Sequence, residues 1–244
     1  MGEDRPRPGP EVGVQPLSEP RRLKPPPDRL YGRSRGHTLR PRQAALLAET
    51  LPRLRLGGAE IAAPPQPLWL EIGFGGGEHA VALVAENPGV TLIACEVFEN
   101  GICSMLSHLV PDGDPATAPL PLNLRIWDDD ARTLMRGLPD GCVDRLFLMF
   151  PDPWPKSRHE KRRFVHPAML PEVARVLRPG GEWRIASDDP TYQEWVDKVL
   201  AQQELFDAPS RLDARPIGWP ATRYEAKAIR AGRTPWYWHV KRRS

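Results

Sequence analysis

The stretch FPDPWPKSRHEKRR, residues 150–163, sets one carboxylate, Asp152, between two prolines at the end of an apolar run. Lys156, Arg158, Lys161, Arg162 and Arg163 follow at once. Proline on either side holds the backbone extended, which fixes the carboxylate just past the run. A fixed carboxylate can stabilise a developing cation, the sign-reversed form of an oxyanion hole. A basic segment can track a phosphate backbone. The pairing sets one fixed carboxylate beside a segment able to hold an anionic partner.

Other apolar runs also end in acids. LEIGFGGGEH (70–79) carries Glu71 and then glycines 73, 75 and 77. Glycine lets a chain turn sharply and approach a ligand closely, and a helix starting there would point N–H groups into the gap. A dinucleotide fingerprint wants glycine or alanine at its sixth position, which here is Glu78. Glu71 is awkward beside a pyrophosphate and favourable beside the ammonium and sulfonium of S-adenosylmethionine. Glu96, closing LIACE, is placed to accept from ribose hydroxyls, as fits either NAD or S-adenosylmethionine; capping the next helix is the alternative. Asp128, Asp129 and Asp130 form a third acidic tip. One of them could accept from an adenine amino group, and Asp130 could equally cap a helix beginning at Ala131. Asp188, in ASDDP, is the last tip.

These acids need a scaffold that brings run ends together. Residues 68–73, 90–97, 122–130, 143–150 and 182–189 read as strands. Helical spacing appears over GEHAVALVAENPG, ENGICSMLSHLV, ARTLMRGL, HPAMLPEVARVLRPGG and PTYQEWVDKVLAQQ. The run VDRLFLMF is apolar throughout, as expected of a strand covered on both faces. Alternation of strand and helix predicts an α/β fold, a parallel sheet with helices on both faces. Ligands of such sheets bind beyond the carboxyl ends of the strands. A short helix is expected near 41–50, ended by Pro52, and GGAEIAAPPQP is expected to be a loop. Residues 1–30, rich in Pro, Arg and Glu, read as a disordered tail, with one domain over 31–244.

The 244 residues suffice for one full core, and the net charge of +3 is unevenly spread, with basic segments at both ends and at 156–163. Three cysteines without a CxxC pair argue against a disulfide framework or a zinc site. No histidine pair has metal-ligand spacing, and all six read as structural or surface. The N-terminus lacks an apolar signal segment, and no run approaches a membrane span. A cytoplasmic protein is expected.

These residues resemble the bacterial single-chain tRNA (guanine-N7-)-methyltransferase family. The resemblance runs from about Leu30 to the C-terminus and rests on LEIGFGGGEH, FPDPWPKSRHEKRR, ASDDPTY and TRYEAKAIRAGRTPWYW. It implies a Rossmann-like class I methyltransferase, with a seven-stranded, mostly parallel sheet and an antiparallel last strand; PWYWHVKR (235–242) suits that strand. It also implies that Glu71, Gly73, Glu96, Asp130 and Asp152 contact S-adenosyl-L-methionine, with Asp152 the catalytic residue. Lys156, Asp188, Thr222, Arg223, Tyr224 and Glu225 would bind the target nucleotide. Arg158, His159, Glu160, Lys161, Arg162 and Arg163 would contact the RNA. Pro155 stands where many relatives carry a polar residue. The implied partner is tRNA, methylated on the guanine at position 46 of the variable loop by a monomer needing no metal.

Guanine N7 has an in-plane lone pair and no proton, so Asp152 would position and stabilise charge before it acted as a base. Trp154 could stack on a base or pack the loop. Thr222 could cap the helix EAKAIRAG instead of binding a nucleotide. The competing readings are an NAD(P) oxidoreductase, a nonenzymatic RNA-binding protein on a methyltransferase fold, and a methyltransferase for proteins or small molecules.

Overall fold

The computed structural model describes Ser34 and residues 36–244. The proposed tail, residues 1–30, lies outside the described residues.

Seven strands form one sheet: β1 (Leu68–Ile72), β2 (Thr91–Cys95), β3 (Leu124–Trp127), β4 (Val143–Met149), β5 (Leu177–Ser187), β6 (Ser210–Leu212) and β7 (Trp236–Lys241). Their order is β3-β2-β1-β4-β5-β7-β6. The first five pair in parallel, whereas β7 runs antiparallel to both β5 and β6. The order therefore reverses between β1 and β4, the switch point where such sheets open a crevice. Every acidic tip read from the sequence falls at that carboxyl edge.

The helices are α1 (Pro41–Ala45), α2 (Leu51–Leu54), α3 (Gly58–Ala62), α4 (Glu78–Glu86), α5 (Glu99–Leu109), α6 (Ala131–Gly137), α7 (Leu170–Val176), α8 (Pro190–Ala201) and α9 (Arg223–Arg230). Apolar residues of α6, α7 and α8 pack one face of the sheet. Those of α2, α4 and α5 pack the other. Strand alternation divides the two cores: Leu68, Leu70 and Ile72 point one way, while Trp69 points the other.

Three expectations differ. Pro52 does not end the first helix, because a π-helical turn over Leu46–Thr50 widens the ladder, with the Leu51 N–H donating to the Leu46 carbonyl. A proline, which lacks an N–H and crowds the carbonyl four residues back, is accommodated after that wider turn. The expected loop at 57–67 contains α3, whose Glu60 carboxylate accepts from the Gly57 N–H at its start. Strand β6, three exposed residues long, was not anticipated.

Candidate active site

A crevice opens above the carboxyl ends of β1, β2, β3 and β4. Two adjoining cavities share Ile72, Gly73, Glu96, Val97, Arg162 and Phe164. One extends to Asp129, Asp130, Arg132 and Met169. The other extends to Gly75, Asp152, Trp154 and Tyr224. Of the residues assigned from sequence, the crevice thus gathers Gly73, Glu96, Asp130, Asp152, Arg162, Arg163 and Tyr224.

The glycine loop links β1 to α4. Gly73, Gly75 and Gly77 all have positive φ, at 71°, 60° and 85°. At Gly77 the requirement is also steric, since a Cβ there would lie 2.4 Å from that of Met105 on α5. At Gly75 it would meet the Tyr224 ring at 2.9 Å. Gly73, by contrast, has open space where a side chain would go. Glu71, just before the loop, is buried, and its Oε1 lies 3.1 Å from His79 Nδ1 on α4. Its Oε2 is buried with no hydrogen-bond partner. A buried carboxylate oxygen left unpaired beneath a ligand loop is a position for a donor from a cationic ligand. His79, read from the sequence as structural, is the residue that holds this carboxylate.

Glu96 ties the loop after β2 to the glycine loop. Its Oε2 accepts from the Gly75 N–H at 2.8 Å, and its Oε1 from the Val97 and Phe98 N–H groups at 2.8 and 2.9 Å. Burial pushes the Glu96 carboxyl above the ordinary glutamate range. The three amides pull it back, and the nearby Asp152 charge adds to the rise. Asp130 caps α6, accepting from the Arg132 N–H at 2.9 Å while its carboxylate also binds the Arg132 guanidinium at 2.6 Å. Asp129 accepts from the Asp130 N–H at 2.7 Å. The capping alternative therefore describes Asp130 in this conformation, and both acids line the same cavity.

Asp152 is exposed at the tip of β4. Two residues around it, Phe150 and Trp154, take positive φ values of 54° and 44°. For bulky aromatic side chains that backbone is strained, as functional loops tolerate when the surroundings enforce it. Part of the enforcement comes from Arg163, whose Nε donates to the Pro153 carbonyl at 3.1 Å and whose Nη2 donates to that of Trp154 at 3.0 Å. Its guanidinium also stacks 4.7 Å above the Trp195 ring.

The expected RNA-contacting run is a 3₁₀ helix over Ser157–Arg162. It does not present all six residues to solvent. Arg163 is only 3% exposed, and in this conformation its guanidinium serves the loop rather than the outer surface. Arg162 lies over the Trp154 ring at 4.8 Å and lines both cavities. His159 packs edge-on against Trp154. Its pKa lies below the usual histidine value, through loss of hydration and then the surrounding Arg162, Arg158, Lys156 and Lys161 charges. Lys156 and Arg158 stand exposed, with Glu160 and Lys161 half-buried.

The remaining assigned residues are dispersed. Asp188 lies outside the crevice in a neighbouring cavity with Arg211 and Trp236, paired to Arg233 at 2.6 Å. Thr222 is the N-cap of α9, its Oγ1 accepting from the Glu225 N–H at 3.0 Å. Glu225 is buried and accepts from the Tyr237 hydroxyl at 2.8 Å and Arg215 Nε at 3.0 Å. In this conformation the carboxylate is committed to protein partners, which is at odds with its direct contact to a nucleotide. Arg223 lies over the Tyr224 ring at 5.1 Å and 3.6 Å from Glu78. Sequence reading passed over Arg132, Met169 and Phe164 in the crevice wall, none of which carries a distinguishing local pattern.

Residues 65–238 match the family model Methyltransf_4, described as "Putative methyltransferase". A tRNA (guanine-N(7)-)-methyltransferase of Granulibacter bethesdensis is 65% identical over 91% of this chain and 98% of its own length. One of Rhodospirillum rubrum is 45% identical over 88% of each chain. Among solved structures, an antibiotic-related methyltransferase superposes with a TM-score of 0.53 at 15% identity, over 78% of this chain and 95% of that one. The 16S rRNA methyltransferase KamB superposes with a TM-score of 0.52 at 18% identity, over 76% and 92%. At those identities the structural likeness speaks for the fold: a class I methyltransferase sheet with its last strand antiparallel. The identity to these curated relatives over nearly their whole length places the chain in the tRNA (guanine-N7-)-methyltransferase family.

Proposed function

We propose that this protein transfers a methyl group from S-adenosyl-L-methionine to N7 of a guanine in tRNA, at position 46 of the variable loop, leaving 7-methylguanosine. The observation that carries this reading is the meeting of Glu96 and Asp152 with the basic 157–162 segment at one crevice.

The residues present fit the cofactor. Glu71 offers a buried, unpaired oxygen, and Gly73 leaves open space above the loop. Glu71, Gly73, Glu96 and Asp130 would hold it, with Asp152 facing the same cavity. When bound, S-adenosyl-L-methionine supplies a methyl carbon activated by its sulfonium. Guanine N7 carries no proton, so no side chain has to remove one there. Asp152 instead aligns the base and stabilises the positive charge it acquires, an effect that grows as water is excluded. Trp154 and Phe164 supply apolar wall for that exclusion. Lys156, Arg158 and Lys161 hold phosphates, contacts that position the RNA without reading its sequence. Selection of one guanine then falls to RNA shape and to groups at the rim, among them Asp188, Arg223 and Tyr224. Asp188 reaches the substrate on releasing Arg233. Residues 31–244 act as one catalytic domain, a monomer working in the cytoplasm.

Labelled methyl transfer to unmodified tRNA followed by nucleoside analysis tests this. Label in 7-methylguanosine at the variable loop is expected. Label in another nucleoside, or none with the cofactor bound, overturns it.

A further inference from the structure

Helix α9 carries Arg223, Lys227 and Arg230 at positions i, i+4 and i+7, which fall on one face. Its buried residues, Glu225 and Ala228, occupy the opposite face. The exposed positions, Arg223, Tyr224, Ala226, Lys227, Ile229 and Arg230, include no acid. The helix dipole favours cations in the last turn. It does not account for an outer face free of carboxylates, since a merely solvated helix face usually alternates sign. Lys227 and Arg230 are exposed and have no ion-pair partner among the described residues, while Arg223 faces Glu78. At its first turn the helix joins the crevice through Tyr224, which lines the same cavity as Asp152 and Arg162.

We infer that the outer face of α9 is a second tRNA-backbone contact, with Lys227 and Arg230 binding phosphates. The face extends about 12 Å along the helix away from the crevice. This rests on the proposed tRNA substrate. It adds a site separate from the 157–162 segment, so that the RNA is held from two walls of one opening. Its contribution is electrostatic and independent of sequence, and it lowers KM for tRNA while leaving the methyl-transfer step unchanged.

The test compares wild type with the double variant Lys227→Gln/Arg230→Gln. Glutamine has similar helix propensity, so α9 is retained. Lys241→Gln serves as control, because Lys241 pairs in register with Glu182 toward the far end of β5. Binding of an unmodified tRNA transcript is measured across a salt series. The double variant is expected to bind on the order of tenfold more weakly, with the log–log salt slope shallower by about 1.4–1.8. Cofactor affinity and kcat at saturating tRNA stay at wild-type values, and the control matches wild type. An unchanged affinity and slope in the double variant, or an equal loss in the control, overturns the inference. The substrate reading fails separately, if wild type forms no 7-methylguanosine, and the binding comparison still decides the role of α9.

Discussion

Arg163 holds Trp154 by its backbone: Nη2 donates to the Trp154 carbonyl at 3.0 Å while Nε donates to the neighbouring Pro153 carbonyl at 3.1 Å. Asp152 sits immediately before this clamped dipeptide, and Trp154 carries a positive φ that an aromatic residue does not adopt unaided. A residue that sequence assigns to the RNA thus braces the loop that carries Asp152. Arg163→Ala should cost roughly 1–3 kcal/mol for each carbonyl left unpaired, and should lower kcat more than it raises KM for tRNA. Arg163→Lys should recover part of the stability but little of kcat, because an ammonium lacks the planar fork that spans two carbonyls. A selective rise in KM for tRNA, with kcat intact, would return Arg163 to the RNA surface.

Glu71 and His79 form a buried pair at 3.1 Å with one carboxylate oxygen left over. His79 fixes the direction of that free oxygen, and its ring rests edge-on against Phe147. His79→Ala should weaken cofactor binding about tenfold, for a lost hydrogen bond to a charged group near 1.5 kcal/mol. Binding of tRNA should not change. Titration calorimetry with S-adenosylhomocysteine and with S-adenosylmethionine separates the contributions. The loss should be shared by both ligands if Glu71 meets the ammonium, and larger for the methylated one if it meets the sulfonium. Unaltered affinity for both would leave His79 a packing residue only.

The raised Glu96 pKa gives a pH signature. Burial is the largest cause, with a further push from Asp152. A folded-state value above the ordinary 4.5 means that folding disfavours the charged form. The Glu96 contribution to stability is thus fully present below the unfolded value and lost as pH rises through the folded one. With Glu96 in its proposed role as acceptor from the ribose, cofactor affinity runs the other way. Affinity should therefore decline on the acid side with a midpoint above 4.5. Asp152→Asn should move that midpoint down, and Glu96→Gln should abolish it. A midpoint at or below 4.5, or one indifferent to Asp152, contradicts the coupling.

The parallel strands and the acidic tips were legible because buried parallel strands leave long apolar runs, with an acid or a glycine at or just past the end of each; the order of the strands in the sheet was not, since no run carries it. The signals that failed were those set by tertiary context. Pro52 reads as a helix stop, but a π turn just before it absorbs the ring. Ser210–Leu212 has neither the length nor the alternation of a strand and pairs only because β7 offers its edge. Thr222 and Glu225 have the spacing of a helix start, T-x-x-E. The structure uses Thr222 that way, whereas the Glu225 carboxylate turns to Tyr237 and Arg215, a choice no local pattern encodes. Within one basic run, Arg158 faces solvent while Arg163, just past the end of the 3₁₀ helix, is buried with its guanidinium over the Trp195 ring.

The most direct test of the central claim is the rate of 7-methylguanosine formation in unmodified tRNA by wild type and Asp152→Asn at saturating cofactor and RNA. Asparagine keeps the shape of the side chain and removes its charge. Wild type should place the methyl group on N7 of the variable-loop guanine. The variant should do so on the order of 10²-fold more slowly, the scale of losing one preorganised electrostatic partner, with tRNA binding retained. A variant that matches wild type would contradict the role of Asp152, and a wild type that leaves guanine N7 unmethylated would contradict the function itself.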